Sequence, residues 1–415
     1  MSLAVTGALL GGDLVGLRAE RGTIAELGPA VSPRDGDEVL DAGGGHLVAP
    51  LLNGHTHAAM TLFRNYGDDL PLMRWLREKV WPVEAKLDAD DVYWGTRLAC
   101  LEMARGGTAR FWDMYWHPEA TARAVEDAGM RATVAAPLIE GGERSSLRDD
   151  ALRSLERLSG FGETIQPALA PHAIYTVGEE SLRWVGELAA ERELPVQIHL
   201  SETEEEVSDC VGKHGVRPAA YLDRLGLLGP RTLLAHGTWL DRAELELASE
   251  RGATVVTNPV ANLKLAVGRV FPYPAAREAG VAVGLGTDGA GSNNSLDLLA
   301  DLKTFALLQR NEAEDPGAVP AAEAWEVAIG ARAPLLGASG RLAVGERADF
   351  LLLRPDALEL SLGNLAAGLV YAAAGAAVGA TVVAGSVVMR DGAVAGCEEV
   401  VARARERASR LGLAD

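Results

Sequence analysis

Basic charge is what this chain most lacks: 39 Lys and Arg stand against 58 Asp and Glu, a formal net charge of −19, with no Lys/Arg run. That balance argues against a nucleic-acid backbone or an anionic membrane surface as partner. Cysteine is scarce as well. Cys100, Cys210 and Cys397 are odd in number and carry no C-x-x-C spacing, so no disulfide framework is expected and a reducing, cytoplasmic setting is. The opening Met1-Ser2-Leu3-Ala4-Val5 has no basic stretch ahead of its apolar residues, and no signal peptide is expected. The one uncharged window long enough to span a bilayer, 368–389, is Ala/Gly-rich and broken by Gly375, Gly379 and Gly385. Ala and Gly favour insertion weakly, so it reads as short buried strands.

What is present is ordinary globular material: 415 residues, 48% hydrophobic and 23% charged, enough for one large domain and a smaller one. From Leu47 onward, β-branched runs alternate with helix-like stretches. The candidate strands are 47–54, 108–114, 131–137, 166–171, 195–200, 231–236, 253–258 and 281–287. Helices are expected at 89–105, 118–128, 179–192, 216–225, 241–251 and 270–279. Eight strands with helical crossovers predict an α/β chain, a (β/α)₈ TIM barrel. Residues 1–46 and 341–396 instead alternate short strands with Gly turns, and a charged helix follows at 398–411. The expected division is a catalytic barrel over 50–340 and a β-sandwich built from both termini, 1–49 and 341–415.

In such a barrel the active site lies at the C-terminal ends of the strands. His55 and His57 close the first strand; residues two apart share a strand face, so both imidazoles converge. His172 follows the fourth strand, His199 the fifth, His236 the sixth, and Asp288 ends the eighth. Five of the eight histidines thus share one rim, which structural histidines have no reason to do. His46, His117 and His214 read as bland loop or flanking residues. The run Glu202-Thr203-Glu204-Glu205-Glu206 reads mainly as a solvated helix start, where carboxylates favour the dipole, with only Glu202 facing the pocket. His55, His57, His199 and Asp288 are the expected ligands of a divalent metal, Zn²⁺ first and Fe²⁺ second. A bridged two-metal site needs an anion such as a carboxylated lysine. The only lysines between His57 and His199 are Lys79 and Lys86, outside the strands, so one metal is expected.

These residues resemble the amidohydrolase superfamily in its mononuclear deaminase branch, across nearly the whole chain. Several strings resemble the 5′-methylthioadenosine/S-adenosylhomocysteine deaminases: Asn53-Gly54-His55-Thr56-His57, Trp81-Pro82-Val83-Glu84, Ala261-Asn262-Leu263-Lys264-Leu265 and Gly286-Thr287-Asp288 through Ser292-Asn293-Asn294-Ser295. The His-x-His pair marks only the superfamily; the last string is far more specific. The resemblance implies hydrolytic deamination at C6 of an adenine nucleoside. Asp288 would accept the water proton, His236 would orient the nucleophile, and Glu202 would protonate the ring nitrogen and relay protons to ammonia. It also implies that Glu84 holds the ribose hydroxyls and His172 contacts the nucleoside. Trp75 either packs against the 5′-substituent or fills a helix-face core. The expected partners are a small-molecule nucleoside and, in a homo-oligomer, further copies of the chain.

Two departures matter. Pro50-Leu51 replaces the usual Pro-Gly ahead of the metal histidines. Relatives that accept S-adenosylhomocysteine tend to carry an arginine at the end of strand three, where this chain reads Val134-Ala135-Ala136-Pro137-Leu138; Arg148 in the following loop is the candidate substitute. Without a paired cation, a zwitterionic amino-acid tail binds poorly, which favours methylthioadenosine, 5′-deoxyadenosine or adenosine. The competing readings are a deaminase or chlorohydrolase of another heterocycle, such as 8-oxoguanine or a triazine, and a catalytically silent scaffold.

Overall fold

Apolar runs bounded by Gly and Pro become strands, and the faces they bury decide which of three sheets each joins. The computed structural model describes residues 2–140, 147–338 and 341–414. Five short strands come first: β1 (Ser2–Leu10), β2 (Asp13–Glu20), β3 (Thr23–Gly28), β4 (Glu38–Asp41) and β5 (Leu47–Val48). Eight parallel strands follow: β6 (Leu51–Thr56), β7 (Thr108–Met114), β8 (Arg131–Leu138), β9 (Ile165–Pro171), β10 (Val196–Leu200), β11 (Thr232–His236), β12 (Thr254–Thr257) and β13 (Ala282–Leu285). They pair in sequence order, and helices between them cover the outside. Most are buried along nearly their whole length, as expected of parallel strands covered on both faces. The molecule is a (β/α)₈ barrel.

The expected strand 47–54 is two strands. Pro50 offers no N–H to a ladder, and across it the chain leaves one sheet for another. Leu47–Val48 pairs antiparallel with β14 (Phe350–Leu353), and Leu51–Thr56 opens the barrel. With β15 (Val378–Val383) and β16 (Ser386–Arg390), these make one terminal sheet, ordered β16-β15-β14-β5; the other is β3-β2-β1-β4. Between the two lies a core including Leu3, Leu17, Ile24, Phe350, Leu352 and Val382. The side-chain period of two splits β14. Phe350 and Leu352 enter this sandwich core, whereas Leu351 and Leu353 join Met103 and Ala104 beneath the barrel helix Ala89–Arg105. The same sheet thus closes the sandwich and glues it to the barrel. The uncharged window 368–389 is divided among a short helix, a turn and two strands, and no described helix is long and apolar enough to cross a membrane.

The last helix, Cys397–Leu411, packs on the barrel. Ala404 and Leu411 enter a cluster with Phe63, Val92 and Tyr115. Arg407 and Arg410 reach the carboxylates of Asp88, Asp90 and Asp91, the N-cap and first turn of helix Ala89–Arg105.

Candidate metal centre

The seam where the barrel closes carries three of the expected ligands, His55, His57 and Asp288. Asn53 stitches β6 to the residues after β13: its Nδ2 donates to Thr287 Oγ1 at 2.7 Å, and its Oδ1 accepts from Thr287 N at 3.1 Å. Asp288 N then donates to His55 O at 3.0 Å. A side chain at Gly286 would strike Asn258 Oδ1 at 2.3 Å and the His55 backbone at 2.9 Å, so only glycine permits this approach. Asp288 itself holds a left-handed φ of 61°, a strained turn that sets its carboxylate beside His55 and His57.

His55, His57, His199 and Asp288 each bring one donor atom to a common point, all within 4.8 Å of one another. The His55 and His199 Nε2 atoms are 3.1 Å apart, and His199 and His57 Nε2 are 3.3 Å apart. Asp288 Oδ1 lies 3.4 Å from His55 Nε2 and 3.1 Å from His57 Nε2. A tetrahedron with metal–nitrogen bonds of about 2.0–2.1 Å has edges of about 3.3–3.4 Å, so these separations match ligands turned toward one ion. The tautomers agree. His57 Nδ1 donates to Met114 O at 2.5 Å and His199 Nδ1 to His172 O at 2.8 Å. His55 Nδ1 meets Gln197 Oε1 at 3.3 Å, and Gln197 Nε2 donates to Asp113 O at 2.7 Å. Carbonyl oxygens only accept, so each Nδ1 keeps its proton and each Nε2 turns a lone pair inward. Asp288 Oδ1 is buried with no hydrogen-bond partner, while Oδ2 accepts from Ser292 Oγ at 2.6 Å. Three lone pairs and an orphaned carboxylate oxygen, all in the interior, fit a single divalent cation.

Two polar groups overlook that point. Glu202 is 4% exposed, and burial, then Asp288, raises its carboxyl to about 8. His236 is equally buried; its Nδ1 meets Asn262 Oδ1 at 2.8 Å and lies 3.8 Å from Glu202 Oε1. Both line a cavity of about 730 Å³, open mouth included. Glu84 lies on its wall beside Tyr115 and Trp116; burial outweighs these partners and raises its carboxyl. His172 and Trp75 line it too. His172 Nδ1 is bonded to Thr176 Oγ1 at 2.9 Å. Trp75 is 6% exposed within a cluster with Phe63 and Val80, as a helix-face core residue would be, and it is also among the residues lining the cavity.

Arg148 is not brought to the site. It lies at the start of the exposed helix Leu147–Leu158, paired with Glu180 at 2.8 Å and stacked over Trp184. The path of a loop after a strand is not written in local periodicity, which is why proximity in sequence misled. Nor is the acidic run uniformly solvated. Glu206 is 5% exposed, and its two oxygens accept from Ser201 N and Glu202 N. Two signals for such supporting residues were in the sequence. Gln197 interrupts the apolar strand β10 two residues before His199, hence on one face with it. Thr203-x-x-Glu206 has the spacing of a helix-capping pair.

The comparisons agree with this geometry. The Amidohydrolase family pattern matches residues 47–388. A 5′-deoxyadenosine deaminase of Methanoregula boonei is 46% identical over 94% of this chain and 90% of its own. The 5-methylthioadenosine/S-adenosylhomocysteine deaminase 1 of Archaeoglobus fulgidus is 40% identical over 95% and 94%. An adenosine deaminase from Xanthomonas campestris, crystallised with zinc, superposes with a TM-score of 0.92 at 34% identity over 99% of this chain and 98% of that one. An atrazine chlorohydrolase from Arthrobacter aurescens shares the fold at a TM-score of 0.87 and 22% identity. With a pattern spanning most of its length and its histidines and aspartate gathered at the barrel rim, the chain belongs to the Amidohydrolase family.

Proposed function

We propose that this protein is a metal-dependent hydrolytic deaminase of 6-aminopurine nucleosides with apolar or truncated 5′-groups, converting the C6 amine to an oxo group and releasing ammonia. One observation carries this reading: Glu202 and His236 stand over the His55–His57–His199–Asp288 cluster at the floor of a cavity whose wall bears Glu84. Relatives at 40–46% identity named 5′-deoxyadenosine deaminase and 5-methylthioadenosine/S-adenosylhomocysteine deaminase support deamination of an adenine nucleoside; the preference for an apolar 5′ group rests on the cavity lining.

His55, His57, His199 and Asp288 would hold the metal, zinc by the donor set and by the zinc in the Xanthomonas relative. Bound there, the ion supplies Lewis acidity that lowers the pKa of water from 15.7 toward ~7. Glu202, protonated at neutral pH by its burial, gives its proton to the ring nitrogen beside C6 and makes that carbon electrophilic. Asp288 accepts a proton from the attacking water. His236, its ring fixed by Asn262, orients that water. Glu202, left as a carboxylate, takes the remaining water proton from the added hydroxyl and passes it to the departing amine; the proton held by Asp288 then restores the acid form of Glu202, so nucleoside and water become the 6-oxo nucleoside and ammonia. Glu84, on the wall of the same cavity, binds the ribose hydroxyls, and His172 contacts the nucleoside.

The 5′ end of the substrate meets apolar and aromatic walls, including Leu72, Trp75, Trp81 and Leu265. Pro137 and Ile139 stand where strand β8 ends, and no Lys or Arg is among the described lining residues, whereas Glu84, Glu202 and Asp288 are. A carboxylate on the 5′ group would enter unpaired beside acidic neighbours.

The test is ammonia release from metal-analysed protein given 5′-deoxyadenosine, methylthioadenosine, adenosine, S-adenosylhomocysteine, 8-oxoguanine and melamine. The first two are expected to lead. Turnover of only the free base or the triazine would overturn the nucleoside reading, and preference for S-adenosylhomocysteine would overturn the apolar 5′ assignment.

A further inference from the structure

The dipeptide Ser201–Glu202 is held more tightly than any helix start requires. Ser201 takes a left-handed φ of 51°, a conformation an L-residue keeps only when its surroundings over-determine it. Every backbone polar group of the pair has a partner. Ser201 N donates to Glu206 Oε1 at 2.9 Å and Glu202 N to Glu206 Oε2 at 2.8 Å. Ser201 O accepts from Trp239 N at 2.8 Å, and Glu202 O accepts from Thr238 Oγ1 at 2.7 Å. Glu206 and Thr238 are both buried.

Glu206 is the third residue of helix Glu204–His214, whose N-cap is Thr203. A capping-box carboxylate would turn back to the N-cap N–H. Here it reaches past Thr203 to the two residues before it, one of which carries the proton-transferring side chain. Thr238 comes from the turn after β11, two residues beyond His236. One short turn therefore positions His236 and also fixes the backbone under Glu202.

We propose that Glu206 and Thr238 are positioning residues for the Glu202 carboxyl, fixing its backbone so that the acid reaches the ring nitrogen; this rests on the deaminase reading above. They touch neither substrate nor metal ligand in this role. Their loss acts on the proton-transfer step and leaves the binding surfaces of the cavity in place. A misplacement of this kind costs rate far more than affinity, up to about a hundredfold for about 1 Å.

The experiment compares wild type, Thr238→Val, Thr238→Ser, Glu206→Gln and Glu202→Gln as metal-loaded enzymes releasing ammonia from 5′-deoxyadenosine. Thr238→Val should lower kcat about tenfold, the scale of one lost buried hydrogen bond, with KM within about twofold. Metal content should stay at that of wild type, and Thr238→Ser should restore the rate. Glu206→Gln, which sets an amide against an N–H, should lower kcat by about a hundredfold with the same KM and metal content. Should Glu206→Gln misfold, the Thr238 pair decides alone. Wild-type kcat in Thr238→Val, or a loss of kcat, KM and metal together that Thr238→Ser does not rescue, overturns the positioning role. An active Glu202→Gln instead overturns the underlying mechanism, which separates the two failures.

Discussion

Each metal-facing imidazole depends on a second residue, and that dependence is measurable one side chain at a time. Gln197 holds His55 while anchoring itself to Asp113 O. Gln197→Leu should therefore weaken metal binding by about 10–100-fold, the usual weight of such a partner, read by competition with a chelator. Glu202→Gln keeps shape and removes the transferable proton. It should lower turnover by at least about a hundredfold with metal content unchanged; loss of the metal would make Glu202 a ligand instead. In the proposed mechanism the acid form of Glu202 is the working form, and burial raises its carboxyl to about 8. Activity should be present below that value and fall as pH rises through it, and a rate that rises there would contradict the assignment. The clustering of His55, His57, His199 and Asp288, with Glu202 beside them in the cavity, was legible because polar residues at the ends of apolar runs have few other reasons to be there. Glu206 was only half legible: its spacing from Thr203 marks a capping residue, but not that its oxygens reach past the N-cap to Ser201 N and Glu202 N. Arg148 was misjudged because a loop's direction depends on packing that no local pattern encodes.

Among elements, the segment over the cavity mouth shows how a single residue type redirects a helix. Leu72–Trp75 and Trp81–Glu84 are α-helical, but Leu76–Val80 between them widens to a π turn, with Trp81 N bonded back to Leu76 O. Pro82 follows at once, lacks an N–H, and could not bond a carbonyl four residues back. Trp75, Trp81 and Glu84 reach one cavity across that irregular turn. The loop leading into it is tied down by the strings that carried the family resemblance. Lys264 Nζ pairs with Asp68 at 2.6 Å and donates to Gly291 O at 3.1 Å, and Asn294 Nδ2 bonds Asn65 Oδ1 at 2.9 Å. Lys264→Met should loosen this tie and raise KM up to about fivefold, the scale of one partly exposed ion pair, with kcat within about twofold. Steady-state kinetics on 5′-deoxyadenosine would show it, and an unchanged KM would mean the tie does not shape the mouth. The strands were readable from their apolar runs, apart from the break at Pro50, where two short strands of one continuous apolar stretch belong to different sheets. The π turn was hidden, because Pro82 reads equally well as the first turn of a new helix.

At the scale of the molecule, the candidate centre is assembled from the end of β6, from β10 and from the turn that follows β13. β6 and β13 are first and last in the barrel order, so the seam must close before the ligand set exists. The absence of a lysine on the intervening barrel strands and the single His/Asp cluster among the described residues both point to one metal per chain. A titration tests that claim most directly. Metal-stripped protein is given increasing Zn²⁺, and ammonia release from 5′-deoxyadenosine is followed at each addition. Activity should start near zero, rise linearly and level off at one equivalent per chain. Full turnover in the stripped protein, or a plateau reached only at two equivalents, would contradict it.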